Sequence, residues 1–129
     1  MTLSIERIDH IVITVNDIEK TCRFYCDVLG MTETQYDDNR RALYFGRQKI
    51  NLHPIPNDIN PRASKPTTGA MDICLVSESS IDEVVSTLNH HGITIEQGPV
   101  ERQGALGTMC SVYFRDPDGN LIEVAHYNN

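Results

Sequence analysis

The sequence has no apolar run long enough to cross a membrane, and it carries little positive charge. Its 11 Lys and Arg are outnumbered by 18 Asp and Glu, which gives a formal net charge of −7. Nucleic acids and anionic membranes require a basic surface, and a membrane-spanning helix requires about 20 consecutive apolar residues. We therefore expect neither partner. No signal peptide is visible at Met1, and we predict a cytoplasmic protein.

The cysteines have no CxxC spacing and no pattern typical of a disulfide framework. There are four of them, namely Cys22, Cys26, Cys74 and Cys110. Cys22 and Cys26 lie one helical turn apart, a spacing that could hold a metal. Buried, reduced thiols in a cytosolic protein are the better interpretation.

Two stretches of the chain read as copies of one motif. His10 precedes Gly30 by twenty positions, and Asp72 precedes Gly92 by the same distance. Each copy ends with Tyr-Phe, a turn and a short apolar strand, which is interrupted by Asn51 in the first copy and by Glu123 in the second. A repeat of this length determines the fold. We expect equivalent positions to face each other or to face one shared cavity.

The first copy predicts one strand, one helix and three further strands. β-branched residues dominate 8–15, which we predict as a buried strand. Asn16 with Glu19 resembles a capping box at the start of a helix, and Gly30 supplies its C-cap. Strands are expected near 31–36, 42–46 and 49–54. The proline-rich segment 54–69 is predicted to be the linker.

The second copy repeats the order. We predict a strand at 71–76 and a helix capped by Ser80 and Glu83, which ends before Gly92. A glycine-containing loop is expected at 97–108, followed by strands at 109–115 and 121–126. The fold class is therefore α+β, with two βαβββ modules at about 5–55 and 70–127 in a single domain of 129 residues. Two such modules can curve around a central space.

The chain resembles the vicinal oxygen chelate superfamily, which includes glyoxalase I, extradiol dioxygenases and bleomycin-resistance proteins. Three motifs carry the resemblance: Asp9-His10-Ile11, Phe24-Tyr25 with Leu29-Gly30-Met31, and the continuous string from Tyr113 to Glu123. The match covers essentially the whole chain and is nearest to small lactoylglutathione-lyase-like proteins. It implies a cupped mixed sheet, usually in a homodimer, with one divalent metal in the cup.

The resemblance also implies the ligands, which come from the first and last strand of each module. Carried over by position, they are His10, Asn51, Asp72 and Glu123. Glyoxalase I would have Glu at position 51, and most members have His at position 72. His53 lies two residues after Asn51 on the same face of its strand and is the alternative ligand.

The residue types support a metal independently of the family. His10 and Glu123 each interrupt an apolar strand, and a buried ionised Glu needs a cation or strong donors. Imidazole and carboxylate suit Ni, Zn, Mn or Fe(II). Each residue also has a purely structural interpretation, as a core histidine for His10, a salt-bridge partner for Glu123, and a turn-capping residue for Asp72.

Three functions follow as alternatives. We predict a glyoxalase-type lyase or isomerase acting on a small oxygenated substrate, with Glu123 or Asp72 moving the proton and with Asn51 and Tyr113 contacting substrate. Asn51 and Thr14 replace a Glu and an Arg of glyoxalase I, so a glutathione substrate is not favoured. An extradiol dioxygenase would use His10, His53 and Glu123. A bleomycin-resistance-like protein would sequester a ligand without metal.

Overall fold

The computed structural model describes residues 1–37 and 39–128. The chain forms two compact units, a first unit of Met1–Thr67 and a second unit of Thr68–Asn129. Each unit has the element order βαβββ and one four-stranded mixed sheet. This confirms the predicted α+β class and the two βαβββ modules.

The first unit contains four strands and a two-part helix. The elements are β1 (His10–Val15), α1 (Ile18–Arg23) with a π-helical turn (Phe24–Val28), β2 (Thr32–Tyr36), β3 (Arg40–Phe45) and β4 (Gln48–Pro54). The sheet order is β1-β4-β3-β2, with β1 and β4 parallel. One face of the sheet carries the apolar core of this unit, formed with the helix by Ile13, Val15, Cys22, Tyr25, Leu43, Ile50 and Leu52.

The first helix begins one residue later than the sequence predicts. Its N-cap is Asp17, whose carboxylate accepts a hydrogen bond from the Lys20 backbone N–H at 3.1 Å. The expected capping box of Asn16 and Glu19 is wrong, because Glu19 pairs instead with Arg41 on β3. At the other end, Gly30 has φ +72°, the left-handed conformation predicted for a C-cap.

The second unit repeats this arrangement. Its elements are β5 (Asp72–Val76), α2 (Ile81–His90), β6 (Gln97–Gly104), β7 (Gly107–Arg115) and β8 (Leu121–Tyr127). The sheet order is β5-β8-β7-β6, with β5 and β8 parallel. The predicted capping box of α2 is confirmed, since Ser80 and Glu83 exchange side-chain and backbone hydrogen bonds.

The segment predicted as a loop at 97–108 is largely the edge strand β6. The prediction is wrong because Gly98-Pro99 reads as a strand breaker, whereas an edge strand tolerates proline. The pairing of β6 with β7 shifts register between Gln97 and Val100. Gly98 has φ +104°, and a Cβ at this position would collide with the Ser111 carbonyl oxygen. The bulge therefore requires glycine.

The turn between β7 and β8 is held by a buried carboxylate. Asp116 accepts hydrogen bonds from the backbone N–H groups of Asp118 and Asn120 and from the Asn120 side chain, at 2.8–2.9 Å. The Asn120 side-chain Oδ1 accepts a hydrogen bond from the Met71 backbone N–H at 2.8 Å. The turn thereby connects the hairpin to the start of β5 and fixes the strand that carries Glu123.

The four cysteines are free thiols in different environments. Cys22 is buried, Cys26 and Cys110 are half-buried, and Cys74 is exposed. The expectation that all four are buried is therefore wrong at Cys74, because β5 turns this residue to the face that α2 does not cover. No helix in the described ranges is long and apolar enough to span a membrane.

Candidate functional site

Each unit carries its polar candidate residues on the sheet face opposite its helix. Residues paired across neighbouring strands point to the same face, and the face alternates along each strand. In the first unit, Ile50 and Leu52 of β4 point into the core and are almost fully buried. Their neighbours Asn51 and His53 therefore point to the other face.

The first unit brings three predicted residues to this face. Val12 on β1 pairs with Asn51, and Thr14 pairs with His53. His10 pairs with Lys49, two positions before Asn51 on the same face of β4. The predicted ligands His10, Asn51 and His53 thus lie on two adjacent strands and point in one direction.

His10 is the first residue of β1, and its side chain is 43% exposed. The sequence prediction of an interior strand position is wrong here, because β1 begins at His10 and not at residue 8. The His10 Nδ1 lies 2.9 Å from an Asp9 carboxylate oxygen. Such a contact fixes the orientation of the ring and leaves Nε2 as the nitrogen suited to a metal.

His53 and Asn51 are both only 8% exposed. Burial, assisted by the positive charge of Arg40, lowers the pKa of His53 below its usual value. The imidazole is therefore neutral near pH 7, the form that binds a metal. The Asn51 Oδ1 is buried and has no hydrogen-bond partner within residues 1–37 and 39–128.

The second unit brings Asp72, Tyr113 and Glu123 to one face. Glu123 on β8 stands between Cys74 on β5 and Tyr113 on β7. Asp72 lies on the same face of β5, opposite Leu121, and is exposed. The sequence prediction that Asp72 and Glu123 occupy the first and last strand of one module is thus realised in the pairing of β5 with β8.

Glu123 has an unusual environment. Its Oε2 is buried and, in the described part of the chain, accepts no hydrogen bond. The pKa of the Cys74 thiol is raised to about 11, chiefly because the thiol is partly removed from solvent. The negative charge of Glu123 and a hydrogen bond to its carboxylate contribute to the same shift. The neighbouring thiol is therefore protonated and can donate to the carboxylate.

Positions 51 and 123 are equivalent in the two units. Each lies on the central strand that pairs in parallel with the first strand of its unit, and each has one buried oxygen without a protein donor. A cation is a group that such oxygens could coordinate. No cluster of three or more His, Cys, Asp or Glu suited to a metal occurs among the described residues.

Arg102 is not among the residues predicted from the sequence, because it lies on β6 within the segment predicted as a loop. Its Nε donates to the Tyr113 hydroxyl at 2.9 Å. Only the position of β6 beside β7 brings these two side chains together. One signal was present in the sequence: Arg102 and Arg115 are the only Lys or Arg residues after position 67.

The chain belongs to the glyoxalase/bleomycin resistance protein/dioxygenase superfamily, whose family model matches residues 7–124. It is 52% identical over 123 residues to virulence protein STM3117 of Salmonella typhimurium, covering 95% of this chain and 85% of that protein. The crystal structure of that protein has a TM-score of 0.95 to this chain, at 51% identity, and covers 97% of this chain and 99% of that one.

Three further relatives extend this similarity. Glyoxalase domain-containing protein RDO1 of Mycosarcoma maydis is 46% identical over 127 residues, covering 98% of this chain and 72% of that protein. More distant relatives have names that state an activity. Metallothiol transferase FosB of Staphylococcus saprophyticus is 28% identical and covered over 76% of its length. Catechol-2,3-dioxygenase of Bacillus subtilis is 27% identical and covered over 38%.

Proposed function

We propose that this chain is a metal-dependent enzyme of glyoxalase type, a lyase or isomerase acting on a small oxygenated substrate. One observation carries the proposal: a buried Glu123 oxygen has no hydrogen-bond partner in the described structure. A buried carboxylate oxygen is costly unless a cation or a donor satisfies it. The imidazole and carboxylate groups at the positions that carry the metal ligands in the superfamily are suited to a divalent ion.

The proposed ligands are His10, His53, Asp72 and Glu123, with Asn51 as the alternative to His53. Imidazole nitrogen and carboxylate oxygen together favour Ni, Zn, Mn or Fe(II). When bound, such an ion would act as a Lewis acid toward a substrate oxygen.

The remaining roles are assigned to this chain's own side chains. Asp72 is exposed on the face that carries Glu123, so we propose that one of these two carboxylates takes and returns the substrate proton. Tyr113, opposite Glu123, and Asn51 would contact the substrate. The four free thiols fit our further proposal that the protein works in the reducing cytoplasm.

Metal binding by single variants tests the proposal. Protein purified without chelator would be analysed for metal and then titrated with Ni, Co, Zn, Mn and Fe(II). We expect one divalent ion per site and about a 10-fold or greater loss of affinity in both His10→Ala and Glu123→Gln, because disturbing even outer-shell partners costs this much.

Matched controls are His90→Ala, at the exposed end of α2, and Glu101→Gln, which is exposed on β6 and pairs with Cys110 on the other face of the sheet. Both should bind metal like the parent protein. Unchanged affinity in His10→Ala and Glu123→Gln would overturn the metal site. A protein that binds no metal would instead favour the ligand-sequestering function.

The dioxygenase is the second candidate, and the relative named catechol-2,3-dioxygenase favours it. His10, His53 and Glu123 would supply the two imidazoles and one carboxylate of an Fe(II) site. Oxygen uptake with catechols by the Fe(II)-loaded protein would support this function. Proton exchange into a hemithioacetal or related substrate without oxygen uptake would support the lyase or isomerase.

A further inference from the structure

The second unit has a cationic and a phenolic side chain close to Glu123 on one sheet face. Tyr113 on β7 pairs with Glu123 on β8, and Arg102 on β6 pairs with Met109 on β7. Residues 109 and 113 point to the same face of β7. Arg102, Tyr113 and Glu123 therefore share the face that carries the proposed metal ligands of this unit.

Arg102 is held in a defined orientation. Its Nε donates to the Tyr113 hydroxyl at 2.9 Å, and its Nη1 donates to the Glu101 carbonyl oxygen at 3.0 Å. The guanidinium carbon lies 5.5 Å from the centre of the Tyr113 ring. A guanidinium has five N–H donors. These two hydrogen bonds leave three N–H donors free, namely both on Nη2 and one on Nη1. They lie at the outer end of the guanidinium group, away from Nε.

The charge balance of the unit makes this cation exceptional. After position 67 the sequence has nine Asp and Glu but only Arg102 and Arg115 as permanent cations. Arg115 is engaged by Glu96 through two hydrogen bonds of 3.0 and 3.1 Å. Arg102 forms no ion pair in the described structure, although acidic residues outnumber it. A guanidinium without a carboxylate partner can take one from a ligand.

Resting on the proposed function, we propose that Arg102 and Tyr113 bind an oxyanion group of the substrate, either a carboxylate or a phosphate. The outer end of the guanidinium fork matches both groups in a two-point contact. The Tyr113 oxygen accepts from Arg102, so its own hydrogen is directed away to donate to the ligand. An anion bound here places the rest of a small substrate beside Glu123.

Binding of small probes with and without charge tests this assignment. The probes are pyruvate for the carboxylate, methyl phosphate for the phosphate, and methyl pyruvate as the uncharged equivalent of pyruvate. Binding to the full chain would be followed by NMR, using the Arg102 side-chain Nε–Hε signal. Titrations would be run up to about 10 mM, because the affinity of a small anion for such a site is weak. They would be run on both metal-free and Zn-loaded protein, since Zn is diamagnetic and preserves the NMR signal.

We expect pyruvate or methyl phosphate to shift the Arg102 signal to saturation, whereas methyl pyruvate leaves it unchanged. Whichever anion binds identifies the source of the oxyanion. Arg102→Gln should weaken binding by about 10-fold or more, since hydrogen bonds to a charged group are lost. Tyr113→Phe should weaken it several-fold while the charge remains.

Arg115→Gln is the matched control, because it removes the other arginine of the unit, which Glu96 already engages. It should bind the probe like the parent protein. The proposal is overturned if neither anion binds, if methyl pyruvate binds equally well, or if Arg102→Gln and Tyr113→Phe both retain full affinity.

Failure here can be told apart from failure of the proposed function. The probe experiment reads the Arg102 signal in metal-free as well as Zn-loaded protein, whereas the metal experiment measures metal affinity in His10→Ala and Glu123→Gln without any organic ligand. If the protein binds anions but no metal, only the proposed metal site is contradicted. If it binds metal but no anion, only the proposed oxyanion site is contradicted.

Discussion

At the scale of single residues, the chemistry of the first unit depends on two neighbours on β4. Asn51 occupies the position equivalent to Glu123, and His53 lies one step further along the same face. Both are 8% exposed. Position favours Asn51, and donor type favours His53, because a neutral imidazole binds transition metals far better than a carboxamide.

We predict that His53→Ala loses the metal while Asn51→Ala retains it. The lowered pKa of His53 keeps the imidazole neutral and ready to coordinate near pH 7. The d–d absorption of Co(II)-loaded variants would report the ligand change directly. The opposite result would make position 51 the ligand and would favour a harder ion such as Mn.

A third outcome is also informative. If both variants bind metal like the parent, neither residue is a ligand, and the site would consist of His10, Asp72, Glu123 and water. Thr14→Val is a suitable control. Thr14 pairs with His53 on the same face and is 9% exposed, so this change disturbs the same environment without removing a nitrogen donor.

At the scale of elements, α2 shows how local sequence determines a boundary. The Ser80 hydroxyl oxygen accepts the Glu83 backbone N–H at 3.2 Å, and a Glu83 carboxylate oxygen accepts the Ser80 N–H at 3.3 Å. These bonds satisfy backbone donors that a helix start otherwise leaves unpaired. Val84 and Leu88 then place the buried side of the helix on the sheet.

We predict that Ser80→Ala lowers the free energy of unfolding by about 1 kcal/mol, the usual cost of losing an N-cap. Urea unfolding followed by circular dichroism would measure the change. Ser86→Ala, at an exposed position within α2, should leave stability equal or slightly higher, because alanine is the better helix former. Equal effects of the two substitutions would argue against a stabilising cap.

The sequence could predict features that depend on neighbouring residues, but it could not predict features that depend on strand pairing. The Ser80 cap and the left-handed Gly30 depend on neighbours within a few residues, so spacing alone predicts them. The edge strand β6 depends on its pairing with β7, and the sequence did not indicate a strand there because Gly98-Pro99 is typical of a strand break. Cys74 and Arg102 became site residues only through register, which joins them to Glu123 and Tyr113 across strands.

At the scale of the whole molecule, the exposed apolar residues indicate association. Val12 is 47% and Val76 61% exposed, and they lie on the sheet faces that carry Asn51 and Glu123. Leu3, Ile5 and Ile8 are exposed before β1. Exposed apolar residues that share a sheet face favour burial against a second surface.

We predict a homodimer, so sedimentation equilibrium at micromolar concentration should give about twice the 14.5 kDa chain mass. Val76→Lys should weaken association by about 10-fold or more, because it places a charge where apolar area is buried. Leu106→Lys is the control, since Leu106 is 88% exposed in the turn between β6 and β7. A monomeric parent protein would contradict the prediction.

The parallel pairing of first and last strand has a consequence for synthesis on the ribosome. β1 finds its partner in β4, about forty residues later, and β5 finds its partner in β8. Chains emerge N-terminus first at about 5–20 residues per second. The first sheet can therefore close while the second is still being made, whereas the second must wait for Leu121–Tyr127 to leave the exit tunnel. Asp72 and Cys74 on β5 therefore gain Glu123 as a neighbour only when β8 has paired with β5.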